Sequence, residues 1–132
     1  MSLPEFLIGP LFVRIGSPMK AGEVVRGHAH NFDHVTTIVT GALRIEVLDG
    51  PDIEEQHDDE TGAVIVEAKL ANTLQAWDVA AKHRIHMRCI AKGTWHRLTA
   101  LEDGTRYECW YPNIGEAGEI VEAYEGRDDA YV

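Results

Sequence analysis

Nine short runs rich in β-branched and aromatic residues, each closed by a turn signal, constrain this chain more than any other feature. They fall at 11–15, 23–26, 34–39, 43–48, 63–70, 84–90, 96–100, 106–111 and 119–123. Gly16-Ser17-Pro18, Gly41, Asp49-Gly50-Pro51, Glu60-Thr61-Gly62, Glu102-Asp103-Gly104 and Pro112-Asn113 punctuate them. The runs suit a pleated, half-buried surface, and the punctuation supplies the backbone that tight turns need. Many short strands at this spacing predict an all-β sandwich or barrel. Only the stretch 71–82 departs from the pattern, and a short helix is expected there.

A chain of 132 residues is one domain by length, large enough to bury a core without disulfide staples. No repeat, linker or low-complexity segment divides it. No apolar run is long enough to span a bilayer, and the amino terminus lacks the basic, apolar and small-residue order of a signal peptide. A cytoplasmic protein with no membrane partner is therefore expected. Cys89 and Cys109 sit in apolar strand-like stretches, where buried, reduced thiols are expected.

The net charge of −10 is uneven. Residues 49–60 hold seven acids and no Lys or Arg, and residues 116–132 hold six acids against one Arg. Both segments are expected to be solvated surface. A calcium site at 52–60 is poorly supported, because the stretch lacks the glycine-centred ligand spacing of an EF-hand loop. The charge argues against nucleic acid as a partner, since phosphate contact needs a basic patch.

Histidines carry the chemistry. His28, His30 and His34 lie in one short stretch, and His96 follows far downstream. Side chains alternate across a strand, so His28 and His30 share a face. Thr36 and Ile38 share a face with His34, and Leu98 and Ala100 share one with His96. Imidazole is the commonest protein metal ligand, and a pocket lined by Thr, Ile and Leu around four of them suits a divalent ion and a small molecule. His57, His83 and His86 fit no such pattern. His57, in the acidic loop, is expected to face solvent.

The spacing Gly22, five residues, His28-Ala29-His30, three residues, His34, six residues, Gly41 resembles the first sequence motif of the cupins. These are double-stranded β-helix jelly-roll barrels with a metal at the centre. The one departure is His34 where that family usually has Glu. A degraded second motif follows, with Gly93 and His96 in place but Ile85, Ala91 and Ala100 where the family has glycine, proline and asparagine. The resemblance covers about 10–112, leaving 113–132 as an acidic C-terminal segment of the single domain 1–132.

The resemblance implies that His28, His30, His34 and His96 bind a divalent metal, with Fe(II) preferred and Ni or Zn as alternatives. Four neutral imidazoles would leave the full 2+ charge on the ion and favour an anionic ligand. Phe32, Arg88, Trp95, Tyr107, Cys109 and Tyr111 are candidates to line the pocket, with Tyr107, Cys109 and Tyr111 facing inward and Glu108 and Trp110 outward. Arg26 and Arg88 are candidate anion clamps. A side-chain base would have to be Tyr107, Tyr111 or Glu108.

Such proteins include dioxygenases, isomerases and lyases acting on chelating, oxygen-rich compounds, so a small-molecule role of that kind is implied. The competing classes are a non-catalytic module that senses or stores a ligand and a jelly roll without metal, because fold does not fix function. A homodimer through outer strand faces is the assembly that the resemblance implies.

Overall fold

A computed structural model describes residues 5–8, 11–30 and 32–112. The expected strand at 119–123 and the acidic segment 113–132 lie outside the described residues. Among those described, the chain is all-β, with no helix. Its strands are β1 (Glu5–Ile8), β2 (Leu11–Ile15), β3 (Val24–His28), β4 (His34–Thr40), β5 (Ala42–Leu48), β6 (Gln56–His57), β7 (Val64–Val66), β8 (Thr73–Ala80), β9 (Met87–Ile90), β10 (His96–Ala100) and β11 (Arg106–Pro112). Two sheets face each other, ordered β1-β2-β11-β4-β9 and β3-β10-β5-β8, and β6 and β7 form a separate hairpin.

The stretch expected to be helical is β8. It pairs antiparallel with β5, setting Trp77 opposite Ile45 and Val79 opposite Leu43. The helix propensity of Leu74, Gln75 and Ala76 is a few tenths of a kcal/mol per residue, and pairing along a whole strand outweighs it. The expected strand at 63–70 is shorter than its composition suggested, because only Val64–Val66 pairs as a strand, with Gln56–His57, while Lys69 makes a single bridge to Ile53. The β6 arm of that hairpin lies inside the stretch expected to be a plain acidic loop. Cys109 is enclosed at the site described below, but Cys89 is exposed and both thiols are free. Cys89 occupies an outward-facing position of β9, which corrects the expectation of two buried thiols.

Alternation along the strands separates chemistry from core. Leu43, Ile45, Val79, Leu98 and Ala100 from one sheet meet Ile38 and Ile90 from the other, all buried. His34-Thr36-Ile38 and His96-Leu98-Ala100 each run from imidazole to apolar residue along one inward face. His34 and His96 open their strands and His28 closes β3, so antiparallel pairing brings these ends together, with His28 directly opposite His96. The histidines sit at one end of the sandwich and the apolar core at the other.

Gly41, between β4 and β5, has φ +76°, a backbone that L side chains rarely adopt. A Cβ there would also overlap Thr105 Oγ1 and stand 2.8 Å from Thr105 Cα. The fully buried Thr105 hydroxyl donates to Glu102 O at 2.7 Å and so holds the neighbouring turn in place. Gly41→Ala is therefore expected to destabilise the protein by about 2–3 kcal/mol through combined strain and overlap, read as a lowered urea midpoint. A midpoint equal to that of wild type would show that the turn relaxes freely.

Candidate metal centre

The site begins with local backbone geometry. His28 and His30 flank Ala29, which is fully buried, and alternation turns both rings into the barrel. His28 Nδ1–H donates to Arg26 O at 2.7 Å, and His96 Nδ1–H donates to Thr94 O at 2.9 Å. A carbonyl can only accept, so Nδ1 carries the proton in each ring and Nε2 of the neutral ring presents a lone pair. The His28 lone pair belongs to the nitrogen that meets the His30 ring. The turn before His96 is tied to the other motif as well. Gly93 N–H donates to His30 O at 2.9 Å, and Lys92 N–H donates to Asp33 Oδ1 at 2.7 Å.

One nitrogen from each of His28, His30 and His96 lies within 4.8 Å of the other two. His28 Nε2 and His30 Nε2 are 3.0 Å apart. Two imidazole nitrogens at about 2.1 Å from one ion, at right angles to each other, stand about 3.0 Å apart, so this pair already has the spacing of a shared cation. His34 joins from the opposite sheet. Its ring centroid is 4.9 Å from that of His30 and 5.3 Å from that of His96, but it stands outside the tight three-nitrogen group. Its Nδ1 is buried and has no hydrogen-bond partner among the described residues. A buried polar atom left without a partner is costly, and a bound ion would relieve it.

Electrostatics agree with this arrangement. Burial first, then the neighbouring imidazoles, lowers the pKa of His34 to about 3. Burial and His28 do the same for His96, also to about 3. Both rings are therefore neutral at pH 7, the form that binds metal. The residues present fit a divalent cation.

The rings open onto a cavity of about 170 Å³ whose described lining contains no carboxylate. Phe32, Tyr107, Cys109 and Tyr111 line it as the sequence suggested, and Phe32 stacks on Tyr111 at 4.3 Å and on His30 at 5.0 Å. Trp95 and Arg88 do not. Arg88 lies over the Trp77 ring at 4.3 Å, bridging the two sheets at their far edge. Arg26 pairs with Glu54 at 2.9 Å on the surface. Neither of these arginines is a clamp in the cavity, because each is held by a partner elsewhere. His57, paired with Glu55 at 2.7 Å, is exposed as expected. His83 and His86 stay outside the cluster.

Two functional groups are not evident from the sequence. Arg14, on the apolar-looking β2, lines the cavity. Asp52, in the acidic loop, is turned inward with its side chain 1% exposed, and it accepts from Arg97 Nε at 2.8 Å and from Gly27 N–H at 2.6 Å. The alternation of 11–15 could have flagged Arg14. Nothing in the run of acids singles out Asp52.

No protein-family model and no curated protein matches the chain. Solved structures do match. It is similar to a cupin-2 domain containing protein from Shewanella frigidimarina, with 15% identity over 85% of this chain and 82% of that one, at a TM-score of 0.52. A protein from Neisseria meningitidis matches with 14% identity over 84% of this chain and 82% of that one, at a TM-score of 0.54. A hydroquinone 1,2-dioxygenase, solved with Cd2+ and 4-hydroxybenzonitrile, matches with 13% identity over 80% of this chain and 60% of that one, at 0.51. At these identities the likeness speaks for the fold, which is the cupin fold.

Proposed function

We propose that this cupin-fold chain binds a divalent metal through His28, His30 and His96, with His34 completing the shell, and that the centre serves a small, oxygen-rich, anionic molecule. The observation that carries the reading is the convergence of imidazole nitrogens on one cavity with no carboxylate in its described lining. Imidazole shells suit Fe, Ni, Zn and Cu, and Fe(II) is preferred on the resemblance. When bound, such an ion supplies Lewis acidity toward an oxygen ligand.

The chain's own residues bind, orient and exclude water. Burial raises the pKa of Tyr107 well above the usual phenol range, and raises that of the Cys109 thiol to about 11. Both therefore hold their protons at pH 7, and Tyr107 offers an O–H donor rather than a base. Glu108 lies outside the cavity, where it accepts from Trp110 Nε1–H at 3.0 Å. Those facts favour a second reading, ligand binding without turnover. Oxygen uptake by Fe(II)-loaded protein with a panel of β-dicarbonyls and hydroxy acids separates the two. Uptake in wild type that is lost in a folded His96→Ala supports catalysis, and silence across the panel supports binding.

The metal reading itself is tested by elemental analysis and metal titration of protein purified without a nickel column. A positioning partner of a ligand is worth about 10–100-fold in metal affinity, so His96→Ala, which removes a ligand itself, is expected to exceed about 100-fold. His34→Ala, outside the tight group, is expected to cost less. Full metal retention by His96→Ala would sink the reading.

A further inference from the structure

The outer face of the β11-β4-β9 sheet carries a recess that the metal centre does not use. His34-Thr36-Ile38 faces inward along β4, so Val35 and Thr37 face out. The register sets Val35 between Trp110 and Cys89, and Thr37 between Glu108 and Met87. Six side chains on three strands thus form two rows, about 10 Å wide at about 4.8 Å per strand step. Four of the six are apolar, where a solvated sheet face is ordinarily polar. Met87 is 45% exposed, and Cys89 is exposed as well. A contiguous apolar patch marks a contact site, whereas apolar residues scattered singly do not.

These side chains line a groove of about 860 Å³ that also reaches Asp33 and His34. That volume suits a small organic molecule, since such sites hold roughly 300–1,000 Å³. Its charge is one-sided. The described lining contains two carboxylates, Asp33 and Glu108, and no Lys or Arg. Asp33 accepts from Lys92 N–H at 2.7 Å and Glu108 from Trp110 Nε1–H at 3.0 Å, so each meets a neutral donor. Arg88, between Met87 and Cys89, turns away over the Trp77 ring. Arg106, two positions before Glu108, lies outside the described lining.

Charge decides among occupants. A second copy docked about a two-fold axis would bring both copies' carboxylates into one interface, with no cation in the described lining to offset them. The chain's own stretch 116–132 carries six acids against one Arg, so it meets the same repulsion. A cation is attracted instead, by Glu108, by the indole face of Trp110, and by the net charge of −10.

We propose that this groove binds a small hydrophobic organic cation, an ammonium carried on an aryl or alkyl body. Glu108 and Trp110 hold the charged end, and Val35, Met87 and Cys89 hold the apolar body. The site is separate from the metal centre and does not depend on that reading, although His34 lines both the groove and the inner cavity.

Calorimetric titration of the full chain, metal-free and zinc-loaded, with 4-phenylbutylamine, 4-phenylbutyrate and n-butylamine tests this. The arylamine is expected to bind both forms within about twofold, and the other two compounds at least about tenfold more weakly. Glu108→Gln should erase the preference for the amine over the acid. Alkylation of Cys89 by iodoacetamide should slow by about threefold or more when the arylamine is bound, which places the ligand in this groove. No binding of the amine, equal binding of the acid, binding only with zinc, or an unchanged Cys89 rate would overturn the proposal. So would Cys89 already protected before the amine is added. Protection with a doubled mass in sedimentation would assign the groove to a second copy, and protection in the monomer would assign it to the chain's own C-terminal stretch. If Glu108→Gln does not fold, the wild-type ligand series and the Cys89 rate decide.

Discussion

Asp52→Ala is expected to cost about 3–5 kcal/mol of folding stability and, in protein that still folds, to weaken metal binding by about 10–100-fold. One carboxylate accepts from four donors: Arg97 Nη2 at 2.5 Å, Arg97 Nε at 2.8 Å, Gly27 N–H at 2.6 Å and Ala71 N–H at 2.9 Å. Arg97 holds its pKa far below the usual carboxylate range, so it stays ionised at neutral pH. The alanine variant would leave a guanidinium only 11% exposed, with Glu46 at 3.3 Å and Ala71 O at 3.1 Å as its remaining partners. Two backbone donors would lose their acceptor as well. Breaking such a pair on one side is far more damaging than never having built it.

The same substitution reaches the metal centre because of where those donors lie. Gly27 precedes His28 and Arg97 follows His96, so one side chain pins the backbone beside two of the converging imidazoles. Gly27 is part of the device, since a Cβ there would meet Leu48 Cδ1 at 2.6 Å and Asp52 Oδ2 at 2.9 Å. Urea unfolding of metal-free protein gives the stability loss, and metal titration gives the positioning effect. A stability within about 1 kcal/mol of wild type would show that Arg97 finds other partners at small cost.

How far the sequence reached depended on whether the deciding signal was local. Strand alternation is local, so the shared faces of His34-Thr36-Ile38 and His96-Leu98-Ala100 follow from residue order alone; it also groups Tyr107, Cys109 and Tyr111, but only the cavity they line shows that their face is the inward one. Spacing between His28, His30, His34 and Gly41 is local too, and the geometry accounts for Gly41 through its positive φ and its closeness to Thr105. Pairing is not local. β8 became a strand because β5 offered it an open edge, and 71–82 alone holds no record of that edge. The inward turn of Asp52 was hidden for the same reason, since Arg97 lies 45 positions away. Arg14 shows a third limit. Alternation gives its face, but a single arginine on an apolar strand does not reveal whether that face meets water or a cavity.

Metal-free protein is expected to lose stability steeply as pH falls below about 6.5, well before its carboxylates titrate. His34 and His96 have pKa values lowered from 6.5 to about 3 in the folded state. Above pH 6.5 both rings are neutral, folded or unfolded, and they contribute no slope. Between about 6.5 and 3 the unfolded chain binds a proton at each ring that the folded chain refuses. The unfolded state then holds more protons, so stability rises with pH and falls with added acid. Each ring contributes about 1.4 kcal/mol per pH unit, so the pair amounts to about 4 kcal/mol between pH 6.5 and pH 5 as an upper value. Against a typical total of about 5–15 kcal/mol, that is enough to lower the melting temperature by many degrees. Asp52 acts in a different window. Its pKa is depressed on folding, so its contribution is fully present above the ordinary carboxylate pKa and lost only below it. The interval from pH 6.5 to 5 therefore isolates the histidines, and His34→Leu should remove about half the slope there. A metal that binds the same rings must compete with protons, so its stabilisation should be large at pH 7 and shrink as the pH approaches 5. Urea melts at half-unit steps, with and without zinc, test both statements. A flat metal-free profile between pH 7 and 5 would mean that the rings take up protons inside the folded barrel and are not the dry, neutral donors on which the metal centre depends.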